Sequence, residues 1–195
     1  AALDKAVSEK LIFRNPTDGC RLPPARAREM QVLTPEEIQR LLIQAKEDSC
    51  FELLLLELST GLRRGEICAL QWDDLSFRTG ELRVERQVHR TRGKLVVSSP
   101  KTRAGNRSII LPTLVLAVLR EYRETVNSKW MFPSPFKADS PRDPAAVRKR
   151  LQVTLERAGC KKIRFHDLRH TFVSASLEHG MDIKTLSTII GHVSS

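Results

Sequence analysis

Residues 51–70 read FELLLLELSTGLRRGEICAL, and this stretch decides the fold. Its first ten residues are apolar on nearly every side, the pattern of a helix buried all round. Gly61 breaks that helix, and RGEICAL starts a second, short one. A glycine lets the chain turn tightly, so Arg63 is thrown out at the junction. Glu66 follows three residues on, within reach of a guanidinium on the same face. Arg63 and Arg64 cannot both face the same way. Alone, the segment also fits two solvent-facing arginines at a helix start.

The texture on either side fixes the class. Upstream, Thr34, Pro35 and Glu37 form a capping box, and Ile38, Leu41, Leu42 and Ala45 then repeat at helical spacing. Downstream, ELRVERQVH, KLVVSS and RSIIL, within 81–111, are short, β-branched and separated by glycine turns. They predict three antiparallel strands. Helical spacing returns over 113–126 through Leu114, Val118, Leu119, Tyr122 and Val126. Residues 130–143 read as a loop, and three helices follow over 143–159, 166–178 and 182–190, stopped by Gly159, Gly180 and Gly191. The expected fold is mainly α with one small three-stranded antiparallel sheet. Residues 2–13 read as the end of a helix. The Pro-, Gly- and Arg-rich run from 14 to 33, with Arg21, Arg26 and Arg28, reads as a connector.

Composition narrows the partner. Of 195 residues, 33 are Lys or Arg against 23 Asp or Glu, a net charge of +10 that points to a polyanion, with nucleic acid foremost. Cys20, Cys50, Cys68 and Cys160 show no C-x-x-C spacing, so neither a zinc knuckle nor a redox pair is indicated. Cys50 and Cys68 sit among apolar neighbours as core side chains. Reduced thiols and the lack of a membrane-length apolar run place the expectation in the cytoplasm.

Four motifs carry chemistry. In HDLRHTF, residues 166–172, His166 and Arg169 lie three apart on the first turn of a helix, whose free N–H groups already favour anions. Together they form a phosphate clamp, because a guanidinium meets two phosphoryl oxygens at once. His166 and His170 also have the spacing of a zinc-protease helix, but that motif needs Glu where this chain has Asp167. Asp167 reads instead as a local cap, and no metal site is expected. PKTRAGNR, residues 100–107, is a basic turn between the second and third strands. It offers Lys101 as a mobile proton donor, with Arg103 and Arg107 as DNA-backbone contacts. IIGHVSS closes a helix at Gly191 and presents His192 at its exit. On the helix near 143–159, Arg148, Lys149 and Arg150 join Arg64 as candidate DNA contacts.

The order T-G-L-R, hairpin lysine, H-x-L-R, G-H over residues 34–195 resembles the catalytic domain of the tyrosine recombinase (phage integrase) family, most of all the integrases of conjugative transposons. The resemblance implies a site-specific recombinase that breaks and rejoins double-stranded DNA through a 3′-phosphotyrosyl link, inserting and excising a mobile element without metal, ATP or other cofactor. Arg63 and Arg169 would bind the scissile phosphate and Lys101 would protonate the leaving 5′ oxygen. His166 would assist the nucleophile's proton or hydrogen-bond the phosphate, His192 would donate to the phosphate, and Glu66 would orient. It also implies assembly on DNA, as a tetramer, in a bacterial, nucleoid-associated setting with no membrane partner. On this reading residues 1–33 are the end of a preceding DNA-binding domain plus linker. One departure stands out. The family's nucleophile is a tyrosine shortly after the G-H histidine, whereas the chain stops at Ser195 and its one tyrosine, Tyr122, lies on an apolar helical face. The fragment as written is therefore expected to be inactive. A type IB topoisomerase-like enzyme and a non-catalytic DNA-binding module are the alternatives.

Overall fold

The computed structural model describes residues 2–20, 30–99 and 106–191. Thr34 opens α2 (Pro35–Glu47) as its capping box predicts. Its hydroxyl accepts from the Glu37 N–H at 3.3 Å, and the Glu37 carboxylate accepts from the Thr34 N–H at 2.9 Å. The apolar run forms α3 (Phe51–Thr60), which ends at Gly61 in the left-handed conformation with φ 59°. A side chain at Gly61 would be strained by that φ, and its Cβ would also lie 2.6 Å from the Phe172 ring. The short helix α4 (Arg64–Ile67) follows at once. Gly65 is needed there for a different reason: an added Cβ would meet the Val88 carbonyl oxygen at 2.7 Å, so α4 lies close against the strand that carries Val88.

The strands differ from the expected three. The run from Glu81 breaks after Val84 into β1 (Glu81–Val84) and β2 (Gln87–Thr91), followed by β3 (Lys94–Ser98) and β4 (Arg107–Ile110). β1 pairs antiparallel with β4, with Leu82 opposite Ile109, and β2 pairs antiparallel with β3, with Val88 opposite Val97. Two separate ladders result. The break has a chemical cause. Leu82, Val84 and Val88 face the core, which puts Arg86 in the inward phase, and its guanidinium turns aside to pair with buried Asp74 on the 3-10 turn Trp72–Asp74. The stretch read as a loop after Trp130 contains a further hairpin, β5 (Pro133–Ser134) and β6 (Lys137–Pro141). Its prolines hid it, because proline argues against a strand.

The remaining helices are α1 (Ala2–Ser8), α5 (Thr113–Thr125), α6 (Pro144–Arg157), α7 (Phe165–Glu178) and α8 (Ile183–Ile190). Helix α3 is the axis of the core and packs against α2, α5 and α7. Leu53, Leu54 and Leu56 are buried there with Leu41 of α2, Leu119 of α5, Leu151 and Leu155 of α6, and Leu168 of α7. Cys50 and Cys68 lie in this core, and burial pushes the Cys68 thiol up to about 12. Tyr122 packs against the core between Trp72, tilted at a centroid distance of 6.0 Å, and Phe132, stacked at 5.9 Å. The architecture is thus mostly helical with small antiparallel ladders. None of the described helices is long and apolar enough to cross a membrane.

Candidate active site

Helix α7 begins with the local cap expected of Asp167. Its carboxylate accepts from the Arg164 N–H at 2.8 Å and from that residue's guanidinium at 2.7 and 3.0 Å. With Asp167 committed to Arg164, His166 and Arg169 are the groups this turn offers. His166 is exposed, with its ring edge-on to His170 at 4.9 Å. Burial on its inner side, then the charges of His170 and Arg169, hold the His166 imidazole below its ordinary value, so it is neutral at neutral pH. Among the described residues, no group of three or more His, Cys, Asp or Glu could hold a metal ion.

Arg169 is only 3% exposed. Its Nη1 donates to the Gly61 carbonyl at 2.6 Å and its Nη2 to the Ile190 carbonyl at 2.7 Å. These carbonyls belong to the C-terminal ends of α3 and α8, where unpaired carbonyls carry partial negative charge. Burial, then the charge of Arg63, pushes the Arg169 guanidinium down to about 10, so it stays a cation at neutral pH. Arg63 lies beside it, its side chain 42% exposed, with Nη1 donating to Glu66 Oε1 at 2.8 Å. The Glu66 carboxylate also accepts from the Arg63 backbone N–H at 2.9 Å, so side chain and backbone are fixed together.

Arg107 departs from the expectation of a DNA-backbone contact. Its side chain is 5% exposed, and Nη2 and Nη1 donate to the two Glu66 oxygens at 2.8 and 3.2 Å. Its Nε donates to the Ile189 carbonyl at 2.6 Å. A surface contact needs a guanidinium presented to solvent, and this one is turned inward by a buried carboxylate. Burial alone would raise the Glu66 carboxyl. The hydrogen bond and charge of Arg107, and then Arg63, outweigh it and hold Glu66 below the usual carboxylate range. The last link is Arg63 Nη2 to the Gly191 carbonyl at 3.4 Å. Three consecutive carbonyls at the end of α8 (Ile189, Ile190, Gly191) therefore meet arginines from β4, α7 and the α3–α4 junction in turn.

The other named residues divide into groups. Lys101, Arg103 and His192 lie outside the described residues. Arg64, Arg148 and Lys149 line one groove of about 1110 Å³, together with Lys162, Arg164 and His166. Arg150 lies round the helix, on an apolar pocket of about 430 Å³ beside Cys50, Leu53 and Phe136. The sequence reading missed Lys162 and Arg164, although the basic run KKIR directly before HDLRHTF was a usable signal. It also missed Glu57. This α3 residue is fully buried, neither carboxyl oxygen has a hydrogen-bond partner, and burial raises its carboxyl well above the usual range against the pull of Arg169. The hint was a glutamate inside an otherwise apolar helix.

Residues 31–195 match the phage integrase family. A tyrosine recombinase XerC-like protein of Caldanaerobacter subterraneus subsp. tengcongensis is 27% identical over 217 residues, 96% of this chain and 55% of that protein. The ICEBs1 integrase of Bacillus subtilis strain 168 is 27% identical over 201 residues, 97% of this chain and 54% of that protein. The chain spans about half the length of these relatives. In structure it is similar to the Tn1549 transposon integrase in complex with a circular intermediate DNA, with a TM-score of 0.81 at 22% identity over 99% of this chain and 68% of that one. It is also similar to XerA recombinase, with a TM-score of 0.71 at 25% identity over 89% of this chain and 59% of that one.

Proposed function

The chain belongs to the phage integrase family, and from that premise we propose that it is the catalytic core of a site-specific DNA recombinase that inserts and excises a mobile element. The carrying observation is that Arg63 and Arg169, 106 positions apart in the sequence, are brought together on successive carbonyls at the end of α8, with His166 one turn before Arg169 on α7. Arg63 and Arg169 bind the non-bridging oxygens of a scissile phosphate and stabilise the charge that builds as phosphorus becomes pentacoordinate. Each such preorganised donor is worth about 10²–10³ in rate. His166 takes the proton of the attacking hydroxyl. Lys101 protonates the departing 5′ oxygen, and His192, the next residue in the sequence after Gly191, donates to the phosphate. No step draws on a metal ion or ATP, since these cations neutralise the phosphate and the phosphotyrosyl link conserves the bond energy.

The nucleophile in this scheme is a tyrosine outside residues 1–195, because Tyr122 is stacked in the core and burial raises its hydroxyl. Arg64, Arg148, Lys149, Lys162 and Arg164 make the basic groove that takes the phosphates flanking the reacting one. Residues 34–195 act as the catalytic domain and 1–33 as the end of a preceding DNA-binding domain plus linker, with recombination run by a tetramer on DNA. The test uses the protein carried past Ser195 to its next tyrosine, incubated in EDTA with nicked duplexes from its element's ends. A denaturing gel should show a protein–DNA adduct that vanishes in Arg169→Ala. Tight DNA binding without an adduct, on supercoiled plasmid as well, removes the recombinase reading.

A further inference from the structure

The anion site holds an awkward combination: Glu66 orients Arg63 by an ion pair, and an ion pair cancels the charge that an anion needs. Were Glu66 and Arg63 alone, only Arg169 would remain to attract a phosphate. Arg107 changes that balance. It meets both Glu66 oxygens at 2.8 and 3.2 Å in the bidentate geometry that suits guanidinium and carboxylate, with both side chains within 5% of full burial. Glu57, the other carboxyl under the cluster, is fully buried with no hydrogen-bond partner, a setting that keeps a carboxyl in its neutral form. Three guanidinium charges thus stand against one carboxylate.

We propose that Arg107 is a positioning residue that takes up the charge of Glu66, so that Glu66 can aim Arg63 without neutralising it, and that seats the end of α8 through Ile189. It acts through Glu66, which holds the Arg63 side chain at 2.8 Å, and through the Ile189 carbonyl, which precedes the carbonyls held by Arg169 and Arg63. Any residue that merely filled this space would serve packing equally well. A counter-charge makes a sharper demand, because its loss should be repaired by removing the charge it counters.

The inference rests on the reading of Arg63 and Arg169 as an anion site, and its test is kept separate from the test of DNA. Inorganic sulfate is added to the ¹⁵N-labelled chain, and the Nε–Hε resonance of Arg63 follows binding. Arg107→Gln should weaken sulfate binding about tenfold, the effect of roughly one added opposing charge at an effective dielectric of about 20. Adding Glu66→Gln to Arg107→Gln should recover most of that loss, which no packing defect would do. A double variant that binds no better than Arg107→Gln overturns the proposal, and so does an Arg107→Gln chain that binds like the wild type. If Arg107→Gln fails to fold, Arg107→Lys decides. It keeps the charge, so binding within about threefold of wild type supports the role, and a folded Arg107→Lys that loses about tenfold overturns it. A fluorescent duplex is titrated in parallel. Sulfate behaviour as expected with no duplex binding retires the recombinase reading and leaves the role of Arg107 standing.

Discussion

Consider Glu57→Gln, a change of one atom in the centre of the core. In the folded chain Glu57 is fully buried and unpartnered, and burial raises its carboxyl well above the usual range, so it keeps its proton to a higher pH than in the unfolded chain. In the unfolded chain the same carboxyl titrates near about 4.3. Above that pH the folded state binds one more proton than the unfolded state at this site. Stability then falls as pH rises, by about 1.4 kcal/mol per pH unit, until Glu57 ionises in the fold as well. Below about pH 4 both states hold the proton and the penalty is absent. Glutamine cannot titrate, so the variant escapes this slope. For as long as Glu57 keeps its proton in the fold, the advantage should grow with pH at that rate, so that even one pH unit is a sizeable share of a typical domain's roughly 5–15 kcal/mol. The assay is urea unfolding of both chains at pH 5, 6 and 7, with midpoints diverging as pH rises. Midpoints that stay a constant distance apart mean that Glu57 is ionised in the fold, and the charge balance drawn for the site is then wrong.

Three further outcomes test other parts of the structure. Gly65→Ala puts a Cβ 2.7 Å from the Val88 carbonyl oxygen. Scanning calorimetry should show a loss of about 1–3 kcal/mol, or several degrees in Tm, and an unchanged Tm refutes the close approach of α4 to β2. His166 is held below its ordinary value, so adduct formation that needs the neutral imidazole should fail only as pH drops below about 6.5. In that pH profile, His166→Gln should lose the acid limb; a limb that survives belongs to another group. Arg148→Gln with Lys149→Gln should lower the log–log salt slope of DNA binding by about 2, equally for all sequences. A slope that stays put means the groove does not carry phosphates.

Periodicity and capping made most of the helices readable, because each has a local cause: the Thr34 box for α2, Asp143 with Pro144 for α6, Asp182 and Gly191 for α8. The strands were harder. Nothing local says that Arg86 would leave the ladder for Asp74, since that partner is 12 residues away and its pull is tertiary. The site was legible where chemistry is tied to short spacing, as with Arg63 to Glu66 and Arg164 to Asp167. It was illegible where burial decides the role. Arg107 looked like every other arginine in a basic turn until the fold turned it towards Glu66, and Glu57 looked like a helix-surface glutamate in a sequence too apolar to have a surface.

The chain of carbonyls at the end of α8 also bears on how the protein is made. Arg63 waits 128 positions for Gly191 and Glu66 waits 41 for Arg107. At a ribosomal pace of roughly 5–20 residues per second, Glu66 spends seconds on the nascent chain before its counter-ion is synthesised. Such distant pairings close late, after the entropy of long loops has been overcome. The helix pair α2–α3 can condense early around its leucines, but the arginine cluster cannot form until α8 has left the ribosome. The complete cluster therefore waits on α8, and a nascent chain that has reached only α7 lacks the carbonyls that Arg63, Arg107 and Arg169 meet.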